Sequence, residues 1–237
     1  MLKGDLRKQA ILDAAETLFF EKGYAGATIQ DILDILECSK GSFYHHFDSK
    51  LQVLEELCRK RAESSFAAFA ENEYDDELSA LNALIYYAMP FRTGEDHTVA
   101  LLLPLEGLAD GMVVAGAILD AQKQLFFPRL CQLLEALKEK RIFFYTQPML
   151  PELLWDAYTA LYQRLMVEAA AIREGGPTIR VIQLIEASRF VWERLLDAPF
   201  GSMELIRGDE ALQVISHAIS FLKRIDGKNE GGEQWKR

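Results

Sequence analysis

The chain has 237 residues, half of them apolar and about a quarter charged, with 26 Lys and Arg against 36 Asp and Glu and a formal net charge of −10. That length can bury a sizeable core in one large or two small domains, while an acidic total excludes a protein that coats nucleic acid without regard to sequence. Three scattered cysteines (Cys38, Cys58, Cys131), one adjacent histidine pair and no apolar run of membrane-spanning length argue against a metal, a cofactor or a membrane partner, so a cytoplasmic protein is expected.

Strand patterning is nearly absent, and apolar residues recur at three- and four-residue spacing between short Gly, Pro and Asp breaks, so the fold class is all-α. The first helix spans roughly 3–22, with Ile11, Ala14, Ala15, Leu18 and Phe19 on one stripe and Gly23 as a left-handed cap that lets Tyr24 fold back. Thr28 caps a second helix, with Asp31 in a capping-box position and Ile29, Ile32 and Leu36 as its buried face. After a turn at Glu37-Cys38, Ser39 caps a third helix over 40–47. Two turns are too few for an isolated helix, so packing through Phe43 and Phe47 must hold it. Ser49 caps a long fourth helix, 50–71, with Leu51, Leu54, Leu57 and Cys58 on one side. Further helices fall near 76–90, 95–106, 109–119, 121–140, 150–173, 178–197 and 209–225, and 226–237 reads as a polar flexible tail.

Helix two, its turn and helix three form a helix-turn-helix, whose second helix enters the major groove of double-stranded DNA. With Phe43 and Phe47 turned inward, Lys40, Gly41, Ser42, Tyr44, His45 and His46 surround the remaining face. Lys40 and Lys50 supply point charges for phosphate, Gly41 permits close approach, and Tyr44, His45 and the Thr28 hydroxyl can donate hydrogen bonds. Residues 1–61 carry nine Lys and Arg against ten Asp and Glu, leaving about −9 on the rest, so any DNA surface depends on where charge is placed.

The segments "ILDAAETLFFEKGY" at 11–24, "ATIQDI" at 27–32 and "SKGSFYHHFDSKLQVL" at 39–54 resemble the N-terminal domain of the TetR/AcrR (tetracycline-repressor) family of transcriptional regulators. The resemblance implies a three-helix DNA-binding domain over about 1–50 and a larger helical effector-binding and dimerisation domain over about 51–225. It further implies DNA contacts from Thr28, Lys40, Gly41, Tyr44, His45 and Lys50. The family commonly places glycine in the turn between helices two and three, where this chain has Glu37. A left-handed turn there would cost on the order of 1–2 kcal/mol relative to glycine. Leu33 stands where the family prefers alanine.

Beyond the helix-turn-helix no catalytic constellation is found: no phosphate loop, no HExxH and no GxSxG. The C-terminal region is rich in aromatics and methionines, which suits either a plain core or an adaptable apolar cavity. Glu106, Met112, Trp155, Tyr158 and Tyr162 are expected to line one such cavity and to bind an unknown small effector, with Glu106 or Asp110 orienting a cationic or hydroxylated ligand. Gly107 and Gly111 are expected to allow close packing or a break between helices. A homodimer follows from the few base contacts a short helix can make, and Ile182, Ile185, Arg189, Trp192 and Leu196 are the expected interface. The function expected is a repressor released from a palindromic operator by a small apolar effector. Two alternatives are a helical ligand-binding protein or enzyme with a vestigial DNA-binding head, and an architectural DNA-binding protein without an effector.

Overall fold

The computed structural model describes residues 3–233, and side chains over 4–225. Among them the chain is entirely helical, without a strand, and no helix is long and apolar enough to cross a membrane.

Helix α1 (Lys3–Gly26) buries the predicted stripe of Ile11, Ala14, Ala15, Leu18 and Phe19. Gly23 breaks it with φ 73 and ψ 160, a region open in practice only to glycine, so the break is extended rather than a left-handed helical cap. The turn brings Tyr24 edge-on to Phe19 at 5.3 Å. In α2 (Ile29–Ile35) the capping box is complete: the Asp31 amide donates to the Thr28 hydroxyl (3.1 Å), and the Asp31 carboxylate accepts from the Thr28 amide (2.8 Å). Ile32 and Leu33 are its fully buried residues.

Glu37 ends α2 in the left-handed region, φ 47. The Cys38 amide reaches back to the Leu33 carbonyl (3.1 Å) and the Glu37 amide to Asp34 (3.4 Å), which is the Schellman pattern of helix ends. Helix α3 (Lys40–Tyr44) is shorter than the expected 40–47, because the chain turns off at His45 and His46. Ser39 caps it, and Phe43 and Phe47 are both buried beneath it.

Helix α4 (Lys50–Ala70), capped by Ser49, runs from this head into the larger domain. There follow α5 (Glu77–Ala88), α6 (Asp96–Leu102) with a 3-10 turn at Leu103–Leu105, α7 (Ala109–Glu139), α8 (Leu150–Arg173), α9 (Ile179–Leu196) and α10 (Gly208–Glu233). The main axis is α4 laid along α7. Helix α5 lies on α7, α8 pairs with α9, and α10 spans α6 and α9. The head meets the larger domain through α1, which touches α4, α6 and α10.

Three expected boundaries move. The two helices expected at 109–119 and 121–140 are one 31-residue helix, since the polar Asp120 contains no break and Pro128 is accommodated within it. The helix expected at 95–106 tightens to a 3-10 turn around Pro104, whose ring cannot continue the α-helical bonding. The tail expected from 226 continues α10 to Glu233, and its remainder, 234–237, lies outside the described residues.

Candidate functional site

The head presents a compact polar face. Lys40, Gly41, Tyr44 and His45 all point outward from α3, with Tyr44 52% exposed and its ring edge-on to the buried Phe43 at 5.4 Å. Lys40 has no ion pair among the described residues. A Cβ added at Gly41 would meet only the Ser39 hydroxyl, at 3.8 Å, so nothing inside the protein demands glycine there. Ser42 is half-buried and its amide closes the Ser39 cap. His46, half-buried, lies edge-on to His45 at 4.9 Å and against the first turn of α1, where a Cβ on Gly4 would sit 3.9 Å from its ring.

Two residues expected to contact DNA are committed inside the head. The Lys50 ammonium donates to the carbonyls of Tyr24 (2.7 Å) and Ala27 (2.9 Å) and sits 4.2 Å over the Tyr24 ring. Its charge closes the α1–α2 loop instead of reaching outward, and burial depresses its pKa, against the pull of Asp110. Thr28 is exposed, yet its hydroxyl donates to the Asp31 carboxylate at 2.6 Å. Hydrogen bonds from Lys22 and Thr28 lower that carboxyl to about 2. Arg7 is exposed one helical turn beyond Gly4, on the end of α1 that lies against His46.

The larger domain holds a cleft of about 360 Å³ between the Leu103–Leu105 turn, α7 and α8. Leu102 and Leu105 line one side, Met112, Ala115 and Gly116 of α7 a second, and Tyr162, Met166 and Val167 of α8 a third. Of the five expected lining residues, Glu106, Met112 and Tyr162 are present. Trp155 and Tyr158 are not. Tyr158 is buried with its hydroxyl donating toward the Ala88 carbonyl (2.8 Å) and the Gln122 side-chain oxygen (3.0 Å), and Trp155 packs between Tyr158 and Phe127. Both belong to the core because they fall about one turn (Tyr158) and two turns (Trp155) N-terminal to Tyr162 on α8, against the Ala88 end of α5 and against α7 rather than the cleft.

The cleft's closed end explains the glycines. A Cβ at Gly111 would lie 2.0 Å from the Leu105 carbonyl oxygen, so only glycine lets α7 start against the 3-10 turn. Gly116 has open space where its Cβ would be. Asp110 faces the head instead: its charge helps burial raise the Tyr24 phenol to about 12 and opposes the loss of charge on Lys50.

Cleft and head are joined by a polar strut. Arg61 of α4 donates to Glu16 of α1 (2.6 Å) and to the Thr98 hydroxyl of α6 (2.9 Å), and Thr98 in turn donates to Glu95 (2.6 Å). Arg92 grips the other Glu95 oxygen at 2.8 Å. Helix α6 ends in the turn that walls the cleft, so the strut links that wall to α1.

The expected dimer residues are mostly turned inward. Ile185, Trp192 (1% exposed) and Leu196 are core, while Ile182 and Arg189 are half-buried. Their stripe is the most regular on α9, and the protomer itself uses it, against α8 and α10. The outward face carries Ile179, Phe190, Val191 and Leu195, with Phe190 52% exposed.

Residues 11–57 match the profile of the bacterial regulatory proteins of the tetR family. The HTH-type transcriptional repressor KstR2 of Rhodococcus jostii is 40% identical over 65 residues, 27% of this chain and 32% of that protein. The biofilm operon icaADBC HTH-type negative transcriptional regulator IcaR of Staphylococcus epidermidis is 41% identical over 75 residues, 30% of this chain and 38% of its own. The chain thus spans about a third of the length of these curated relatives. A TetR-family transcriptional regulator from Pectobacterium atrosepticum superposes with a TM-score of 0.59 over 83% of this chain and 97% of its own, at 20% identity, which establishes a shared fold.

Proposed function

Because this chain carries the DNA-binding domain of the TetR family over residues 11–57, we propose that it is a transcriptional regulator, a repressor that binds a palindromic operator as a homodimer in the cytoplasm. The observation that carries this reading is α3 itself. Its apolar residues, Phe43 and Phe47, are spent on anchoring, while Lys40, Gly41, Tyr44 and His45 face outward with no side-chain hydrogen bond or ion pair among the described residues. Side chains of these kinds at the start of a short helix suit phosphate oxygens and base edges, and the helix start favours an anion. Arg7 adds a cation from α1.

The second copy is assigned to the outward face of α9, around Phe190, Val191 and Leu195, which a lone protomer leaves in water. The cleft under the Leu103–Leu105 turn is the effector site in this reading. Occupying it biases α6, and through Arg61 the tilt of α1, so an effector lowers DNA affinity by its preference for one arrangement over the other.

Selection of bound fragments from random double-stranded DNA tests the reading. Recovery of an inverted repeat, with Lys40→Ala and Tyr44→Ala each weakening binding about tenfold or more at unchanged melting temperature, is the expected result. Failure to enrich any sequence would sink it.

A further inference from the structure

The cleft is apolar on three sides and holds one carboxylate at its rim, Glu106, with no Asp, Lys, Arg or His in its lining. Among the described residues the Glu106 carboxylate has neither an ion pair nor a hydrogen bond. Tyr162, its ring buried against the cleft, likewise keeps its hydroxyl without a hydrogen-bond partner there. The next polar group is the Gln163 amide.

That combination sorts ligands by charge. A carboxylate, phosphate or sulfate entering the cleft would meet the Glu106 charge and no counter-ion. A neutral ligand would cover Glu106 with apolar matter and leave a carboxylate stripped of water, which costs free energy. A monovalent cation offsets that loss, and the surrounding groups favour it: the Tyr162 ring face attracts cations, and the Met112 and Met166 thioethers are soft and adaptable. Burial above all, then the nearby Cys58 and the Glu106 charge, push the Tyr162 phenol well above its ordinary range, so it stays a neutral hydrogen-bond donor. Burial also raises the Glu106 carboxyl, a shift that a bound cation would reverse.

Building on the reading of this cleft as the effector site, we propose that it takes an amphipathic organic cation, with its ammonium-type head at Glu106 and its hydrocarbon tail laid between Leu102, Leu105 and Met166. Charge at the rim and apolar surface within give the two ends of such a molecule one orientation each.

The test uses the full chain and three probes of one tail length, kept below their micelle concentrations: decyltrimethylammonium, decanol and decyl sulfate. Binding is read by calorimetry. The ammonium probe should bind at least tenfold more tightly than either other probe. Glu106→Gln should weaken it about tenfold and leave decanol within twofold. Gly116→Phe, which fills the cleft where a Cβ meets no neighbour, should abolish binding of the ammonium probe without lowering the melting temperature. Equal or tighter binding of decanol or decyl sulfate, an unchanged affinity in Glu106→Gln, or no binding by any of the three would overturn the proposal. Operator binding is measured alongside. A chain that holds the ammonium probe at Glu106 yet selects no DNA would leave the cleft chemistry standing and remove the regulator reading.

Discussion

Glu37 shows what one residue costs when the backbone dictates its conformation. With φ at 47 it occupies a position that glycine fills without strain. Glu37→Gly is therefore expected to stabilise the protein by about 1 kcal/mol, read as a raised melting temperature; a lowered one would mean that the Glu37 side chain contributes more than its strain removes. Glu56 carries a prediction in pH. Hydrogen bonds from Arg59, then Lys8 (2.5 Å), hold its carboxyl at about 2 against the ordinary 4.5. A folded pKa below the unfolded one adds stability that is complete above pH 4.5 and is lost as pH falls from there toward 2. Glu56→Gln should flatten the decline of melting temperature across that window, and an unchanged decline would assign acid sensitivity to other carboxyls. At this scale the sequence was legible where chemistry is local. The Thr28–Asp31 box, the Ser39 and Ser49 caps and the strained turn at Glu37 all depend on residues within a few positions of one another. Trp155 and Tyr158 were not legible as core, because the direction of a helical side chain is decided by whichever helix packs against it.

Helices follow the same division. The stripe on α1 and the anchors of α3 could be located from spacing alone, since each of these helices has one apolar face and buries it within the protomer. On α9 the spacing found a stripe that was expected at a dimer interface and that the protomer buries. Two faces are apolar, and the regular one, through Ile185, Trp192 and Leu196, serves the protomer. Helix α4 offers another residue whose type and placement differ. Lys50 at its start suits phosphate by residue type, yet its ammonium ties together the loop between α1 and α2. Lys50→Ala is accordingly expected to lower stability by about 1–3 kcal/mol, through two carbonyls that lose a charged donor, as well as to weaken DNA binding. Lys50→Arg should recover part of the stability. A melting temperature unmoved by Lys50→Ala, with DNA affinity reduced, would return this residue to the phosphate contacts.

For the whole molecule, the proposed homodimer makes three predictions. Phe190→Glu places a charge on the outward face of α9 without touching the core, so light scattering should record a monomer and operator affinity should fall at least a hundredfold. A folded Phe190→Glu dimer would relocate the interface. Operator binding by the proposed dimer should lose affinity with salt as expected for about six to ten neutralised phosphates, whose counter-ions binding releases, and Arg7→Ala, removed from both protomers, should lower that number by about two. The size of the reading element then sets how much the molecule can say. A helix of five residues addresses about four base pairs, a pattern met by chance at about one position in 250, and two such words at fixed spacing recur about once in 65,000. Along a bacterial chromosome that leaves tens of accidental addresses competing with the true one. The short α3 therefore obliges the protein to spell its operator with more letters than α3 can reach, through the flank beside Arg7 and through the bendability of the DNA between half-sites, so the selected inverted repeats should carry fixed bases outside the two four-base cores.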